Sequence, residues 1–164
     1  SILAAWGAED AGLEIFHHGS GETLATSIAA AYANEEPWFS YYWSPSAPLG
    51  QYDMVQVDLG PVDEAVHACN VDADCAEVGK SSYPVARVLT ISTKNFAAEN
   101  PEIAALMSNI SFSNQLMSAL LSWKEENSAT GEETAVKFLT ENAELWSSWI
   151  SEEARENLAA LLNR

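Results

Sequence analysis

Basic side chains are scarce in this chain: 7 Lys and Arg stand against 24 Asp and Glu in 164 residues, a formal net charge of −17. Neutralising phosphates requires clustered Lys and Arg. Lys80, Arg87, Lys94, Lys124, Lys137, Arg155 and Arg164 are scattered instead, which excludes a nucleic-acid partner. The same sign argument disfavours an anionic membrane surface. Histidine is limited to His17, His18 and His67, without a His-x-x-x-His spacing, so neither a metal nor another cofactor is expected. Long apolar runs are missing as well, because Gly, Ser, Glu or Asp interrupts each one before the ~18 residues that a bilayer crossing needs. There is no internal repeat and no low-complexity tract. The first residue is Ser1, and Ile2 to Trp6 reads as apolar helix, not as a basic segment leading into a signal-peptide core. A processed chain or a piece of a longer one is expected.

Cysteine is confined to Cys69 and Cys75, which flank Asn70-Val71-Asp72-Ala73-Asp74, a stretch more loop-like than helical. Neighbouring Asp72 and Asp74 raise a thiol's pKa, which argues against a nucleophilic or redox-catalytic cysteine. The pair reads as a small structural disulfide, with two free thiols as the alternative. Closing so short a ring stabilises by about 2 kcal/mol. A disulfide places the chain in an oxidising compartment, the periplasm or the cell exterior.

What is present divides the chain into two patterns. The first half alternates candidate strands and helices: strand at 13–16, turn at His17-His18-Gly19-Ser20-Gly21, then a helix over 22–33 capped by Ser20, with Leu24, Ile28, Ala31 and Tyr32 on one face. The aromatic run 37–43, bounded by Pro37 and Pro45, reads as a strand buried on both faces, and 54–59 alternates cleanly before Gly60-Pro61. Such an order predicts an α/β fold with βαβ units around a largely parallel sheet. One more strand is expected at 85–91, followed by helices to the end. Asn100 caps one beginning at Pro101 with Ile103, Leu106, Met107 and Ile110 as its stripe, and Leu116, Met117, Leu120 and Leu121 mark the next. Thr130 and Glu133 form a capping box for a third, with Val136 and Leu139 inward, and Ser151 caps a fourth carrying Leu158, Leu161 and Leu162. Two lobes meeting near Tyr83 to Arg87 are expected.

Three stretches compete for a function. His17-His18-Gly19-Ser20-Gly21 places histidine beside serine in a tight turn, the ingredients of an activated nucleophile. The Gly-x-Ser-x-Gly spacing is missing, however, and adjacent histidines on a strand point to opposite faces. A hydrolase using Ser20 and His18 is therefore only the alternative. Trp146 and Trp149 form an i, i+3 pair read as helix-packing anchors, or, in a further alternative, as the face of a helical protein-interaction module. Tyr41-Tyr42-Trp43-Ser44-Pro45 is the most informative: a strand ending in Trp at a Pro-broken loop puts a large π face at the sheet's carboxyl edge, where open α/β folds bind ligands. An electron-rich ring in an acidic protein suits a cation, and a quaternary ammonium over Trp or Tyr gains ~2 kcal/mol or more once desolvated. Alternation puts Tyr41 and Trp43 on one face and Tyr42 on the other, with Trp38 in the core. Trp43 is the leading ligand contact.

Over Glu36-Pro37-Trp38-Phe39-Ser40-Tyr41-Tyr42-Trp43-Ser44-Pro45 and Leu49-Gly50-Gln51-Tyr52-Asp53-Met54-Val55, the sequence resembles the substrate-binding proteins of ABC importers for glycine betaine, choline and related methylated amines. The likeness extends upstream through Gly19-Ser20-Gly21 and downstream through Cys69 to Cys75, Tyr83-Pro84-Val85, Asn100-Pro101-Glu102 and Ala129-Thr130-Gly131-Glu132. It implies a two-lobed, type II periplasmic-binding-protein-like fold closing on a quaternary ammonium or amine oxide held among aromatic rings. Trp43 matches the aromatic wall, and Tyr42 and Ser44 adjoin it. Such proteins are about twice this long, so the resemblance implies the second half of the two-lobed fold: residues 1–83 as part of lobe two, and 84–164 as the helix-rich carboxyl-terminal part of lobe one. The implied role is a periplasmic or otherwise extracytoplasmic receptor, not an enzyme, that hands its small-molecule ligand to a membrane permease. A half-box leaves the ligand mostly hydrated, so the gain falls toward ~0.5 kcal/mol per ring and weak or absent binding by the chain alone is expected. Strand edges left uncovered favour a homodimer.

Overall fold

The computed structural model describes residues 2–162. Among them the regular structure is helical: α1 Ile2–Ala5, α2 Gly21–Ala33, α3 Ala47–Gln51, α4 Glu64–Val71, α5 Lys94–Glu99, α6 Pro101–Asn109, α7 Asn114–Glu126, α8 Gly131–Glu141, α9 Ala143–Ser147 and α10 Glu152–Leu162. The chain forms two compact units interleaved in sequence, Ser1–Ser27 with Met54–Val88, and Ile28–Asp53 with Leu89–Arg164.

The strands expected at 13–16, 37–43, 54–59 and 85–91 are not formed among the described residues, and neither is the sheet of βαβ units. A strand is defined by hydrogen bonds to a neighbour, and no ladder closes on these stretches. Their apolar side chains stay open: Val55 is 88% exposed, and Val85 and Val88 are each 91% exposed. The aromatic run is not buried on both faces either. Phe39, Tyr41 and Trp43 are exposed, and Trp38 is half-buried rather than core.

The first unit is stapled more than packed. Asp63 caps α4, its carboxylate accepting from the backbone N–H groups of Ala65 and Val66. Asn70, on the last turn of α4, exchanges two hydrogen bonds with Gly79, donating to its carbonyl and accepting from its N–H at 3.0 Å each. Ser81, only 1% exposed, accepts from the Asp63 N–H. Cys69 and Cys75 are joined by a disulfide with Cα atoms 5.3 Å apart. Asn70 and Val71 are helical, where a loop was expected: a cysteine bridge can be anchored on the end of a helix as well as in a loop.

The second unit has the apolar core. Leu120, Phe138 and Trp146 are buried, with Phe112, Leu116, Leu139, Leu145 and Trp149 packed on them. Phe138 stacks on Trp149 at 5.8 Å and meets Phe112 at 5.1 Å. The Trp146 indole N–H donates to the Leu139 carbonyl at 2.7 Å, so this buried ring keeps no orphan donor. The capping box of α8 forms as the sequence predicts. Val136 does not turn inward and is half-exposed, because the buried side of α8 is taken by Phe138. Asn100 precedes α6, but its side chain donates back to the Phe96 carbonyl and closes α5 rather than capping α6. The Ser151 hydroxyl accepts from the Ala154 N–H at the start of α10. The side chains of Leu161 and Leu162 lie outside the described residues.

Candidate functional site

The predicted site lies on the segment that joins α2 to α3. Proline at 37 and 45 disfavours helix across this stretch, and neighbouring bulky rings favour an extended backbone. Trp43 ends the run and is 48% exposed. Tyr42 stacks on it with ring centroids 4.6 Å apart and planes 5° from parallel. Tyr41 lies at 6.3 Å from Trp43, tilted by 43°. Opposite placement of Tyr42 and Trp43, as alternation predicted, is therefore not what forms: side chains alternate strictly only in a pleated, paired strand, and this one is unpaired. All three rings gather into one ledge. Ser44 is exposed at its rim and enters the cis Ser44–Pro45 bond.

Two features escaped the sequence reading. Tyr32 on α2 and Tyr52 after α3 pack at 5.0 Å, a contact between residues 20 apart with no motif to announce it. The other is the seating of the loop after Trp43: the Ser46 N–H donates to the Ser118 hydroxyl on α7 at 3.1 Å, across 72 residues of sequence.

Chemically the ledge offers π faces. Two of the chain's seven Lys and Arg side chains sit on other rings, Lys80 over Trp6 and Lys137 over Trp123, each 5.0 Å from the ring centroid. Neither of these pairs occupies Trp43. A groove of about 510 Å³ lies among α8, α9 and α10, lined in part by Leu139, Trp146, Arg155 and Ala159, and includes none of the predicted site residues. Among the described residues no group of three or more His, Cys, Asp or Glu is placed to hold a metal ion.

The competing sites come apart. The Ser20 hydroxyl caps α2 by accepting from the Thr23 N–H at 3.3 Å, and the His18 ring packs against Phe16 at 4.9 Å instead of reaching Ser20. Its hydrogen bonding also holds the Glu22 carboxyl below the usual glutamate range. This is a helix start, not a nucleophile with its base. Trp146 is 4% exposed and Trp149 stacks on Phe138, so the pair packs into the core of the second unit.

Residues 1–141 match the substrate-binding domain of the ABC-type glycine betaine transport system, OpuAC, and the chain belongs to that family. No curated protein matches the chain significantly. Membership brings the periplasmic-binding-protein fold and a role in binding a solute of the glycine betaine type for an ABC permease, in a family that binds without catalysing. Substrate-binding proteins of such importers act outside the cytoplasm. Among the described residues no helix is long and apolar enough to cross a membrane. The matched span holds the whole Tyr41-Tyr42-Trp43 ledge and ends at the last residue of α8.

Proposed function

We propose that this chain binds a quaternary ammonium or related methylated amine, such as glycine betaine, choline or trimethylamine N-oxide, in the periplasm, with Trp43 as the aromatic wall. Tyr42 backs the ring and Ser44 forms the polar rim. The observation that carries the reading is Trp43 itself, stacked on one side and 48% exposed. A methylated onium spreads its charge over a large, weakly hydrated surface, so it gives up little hydration to rest on an indole. An open ledge adds ~0.5–1 kcal/mol per ring, and enclosure by further walls raises this to ~2 kcal/mol or more. Weak, millimolar binding is therefore the expectation for the chain alone. Residues 1–83 as part of lobe two and 84–164 as part of lobe one is the organisation that goes with this reading, and the Cys69–Cys75 bridge supports an oxidising compartment.

The test is a titration of choline, glycine betaine and trimethylamine N-oxide against tryptophan fluorescence, with 3,3-dimethylbutan-1-ol as choline's uncharged isostere. A saturable response to choline that the isostere lacks, lost in Trp43→Ala, is expected. Equal behaviour of wild type and Trp43→Ala toward every cation removes the proposal.

A homodimer is the second element of the reading. It is supported by extended, apolar and unpaired stretches, with Val85, Val88 and Ile91 all more than four-fifths exposed. Light scattering on a sizing column checks it, and a clean monomer at high concentration would rule it out.

A further inference from the structure

We infer that Ser118 on α7, together with Gly50 on α3, is a positioning residue for the Trp43 ledge. This rests on the reading of Trp43 as the ligand wall. Trp43 is followed at three residues' distance by Ser46, which precedes the first residue of α3, so the ring's place follows from where α3 is seated. A five-residue helix has no stability of its own in water. Its seat must come from what it touches, and that is α7.

Both ends of α3 meet the same residue. At the start, the Ser46 N–H donates to the Ser118 hydroxyl at 3.1 Å, with Ser46 and Ser118 only 8% and 4% exposed. Toward its end, Gly50 lies so close to α7 that a Cβ there would overlap the Ser118 carbonyl oxygen and come within 3.0 Å of the Ser122 Cβ. The hydroxyl of residue 118 sets the register of α3 along α7, and its backbone sets the distance. A larger residue at 50 must lift α3 away, since the atom it meets is backbone. Loss of the hydroxyl leaves a buried N–H without its acceptor, which destabilises this seating in preference to an exposed one.

The experiment follows Trp43 directly. Tyr42 and Trp43, nearly parallel and in contact, give a coupled near-ultraviolet circular dichroism signal that a difference spectrum against Trp43→Phe isolates. Ser118→Ala and Gly50→Ala are expected to diminish that signal, increase acrylamide quenching of Trp43, and weaken the choline response by about tenfold or less, the worth of one neutral hydrogen bond. Ser118→Thr, which keeps the acceptor, restores all three readouts. Ser122→Ala removes a different buried hydroxyl of α7, one that donates to Glu126, and keeps the Cβ facing Gly50, so it controls for general weakening of α7 and leaves the Trp43 signal in place. An unchanged Trp43 signal in both Ser118→Ala and Gly50→Ala overturns the inference, even if Trp43→Ala abolishes the choline response. Equal loss of the signal in Ser122→Ala also overturns it. A choline response indifferent to Trp43→Ala counts against the ligand wall instead, while the spectroscopic arm still decides whether Ser118 positions the ring. If Ser118→Ala does not fold, Gly50→Ala alone answers the question.

Discussion

The two units of this chain are held together by different physics. In the first, the buried residues among those described are Ala8 and Ser81, and order comes from the Cys69–Cys75 bridge, the paired hydrogen bonds between Asn70 and Gly79, and the Asp63 cap. In the second, Leu120, Phe138 and Trp146 are buried beneath a shell of aromatic and aliphatic side chains. A unit with so little apolar surface to bury cannot offset chain entropy by the hydrophobic effect alone, and a covalent staple with a few satisfied polar groups takes its place. The lesson is that one chain can carry both solutions, and that perturbations should separate them.

The largest expected separation comes from Phe138→Ala. Removing a ring that touches Phe112 and Trp149 destabilises by about 3–5 kcal/mol, read as a lowered urea midpoint. The loss should fall on amides of α7 to α9 in hydrogen exchange, leaving those of 61–83 as they were. Loss of protection spread evenly over both units would show that the distinction drawn here is false.

Next is the Cys69→Ser, Cys75→Ser pair, which opens a ring of short sequence separation and costs about 2 kcal/mol. Exchange should accelerate at α4 and 77–83 and remain slow at Leu120 and Phe138. Asn70→Ala follows at about 1–2 kcal/mol, because two half-buried neutral hydrogen bonds vanish together. Its effect should be local to the same segment, and smaller once the disulfide is already gone, since both fasten the same helix end.

The smallest effect belongs to the α8 cap. Thr130→Ala should cost about 1 kcal/mol in thermal or urea unfolding. The Glu133 carboxylate accepts from the Thr130 N–H at 2.7 Å and from its hydroxyl at 2.9 Å, which holds its pKa below the usual glutamate range. A depressed folded-state value means that this contribution is complete above the ordinary glutamate range and is lost as pH falls through the lowered one. The Thr130→Ala penalty should therefore be full at neutral pH and shrink in acid. A penalty that grows in acid would contradict the assignment.

Legibility followed the range of the interaction. The α8 capping box, the Ser20 start of α2 and the helix at Pro101 were readable because each is settled within four residues of backbone. Strands at 54–59 and 85–91 were not, since alternation marks a candidate face but cannot supply the neighbour that would pair with it. The ledge was half legible: the ring types and the Pro-broken end pointed to Trp43, whereas the stack of Tyr42 on it depends on the backbone between them. Ser118 carried no signal at all, being one serine among many until α3 lies against it.

Composition and local pattern alone determined the acidic charge, the candidate cysteine bridge, the helix starts and the aromatic run ending at Trp43. Those properties reside in residue chemistry or in bonds spanning a few residues. Tertiary structure alone decided that Tyr42 covers one face of Trp43, that Trp146 and Trp149 serve the core, and that Ser46 hangs on Ser118. The worth of each contact depends on desolvation and close approach: the stack of the adjacent Tyr42 and Trp43 follows from the backbone geometry between them, and the others form only once separate segments have packed.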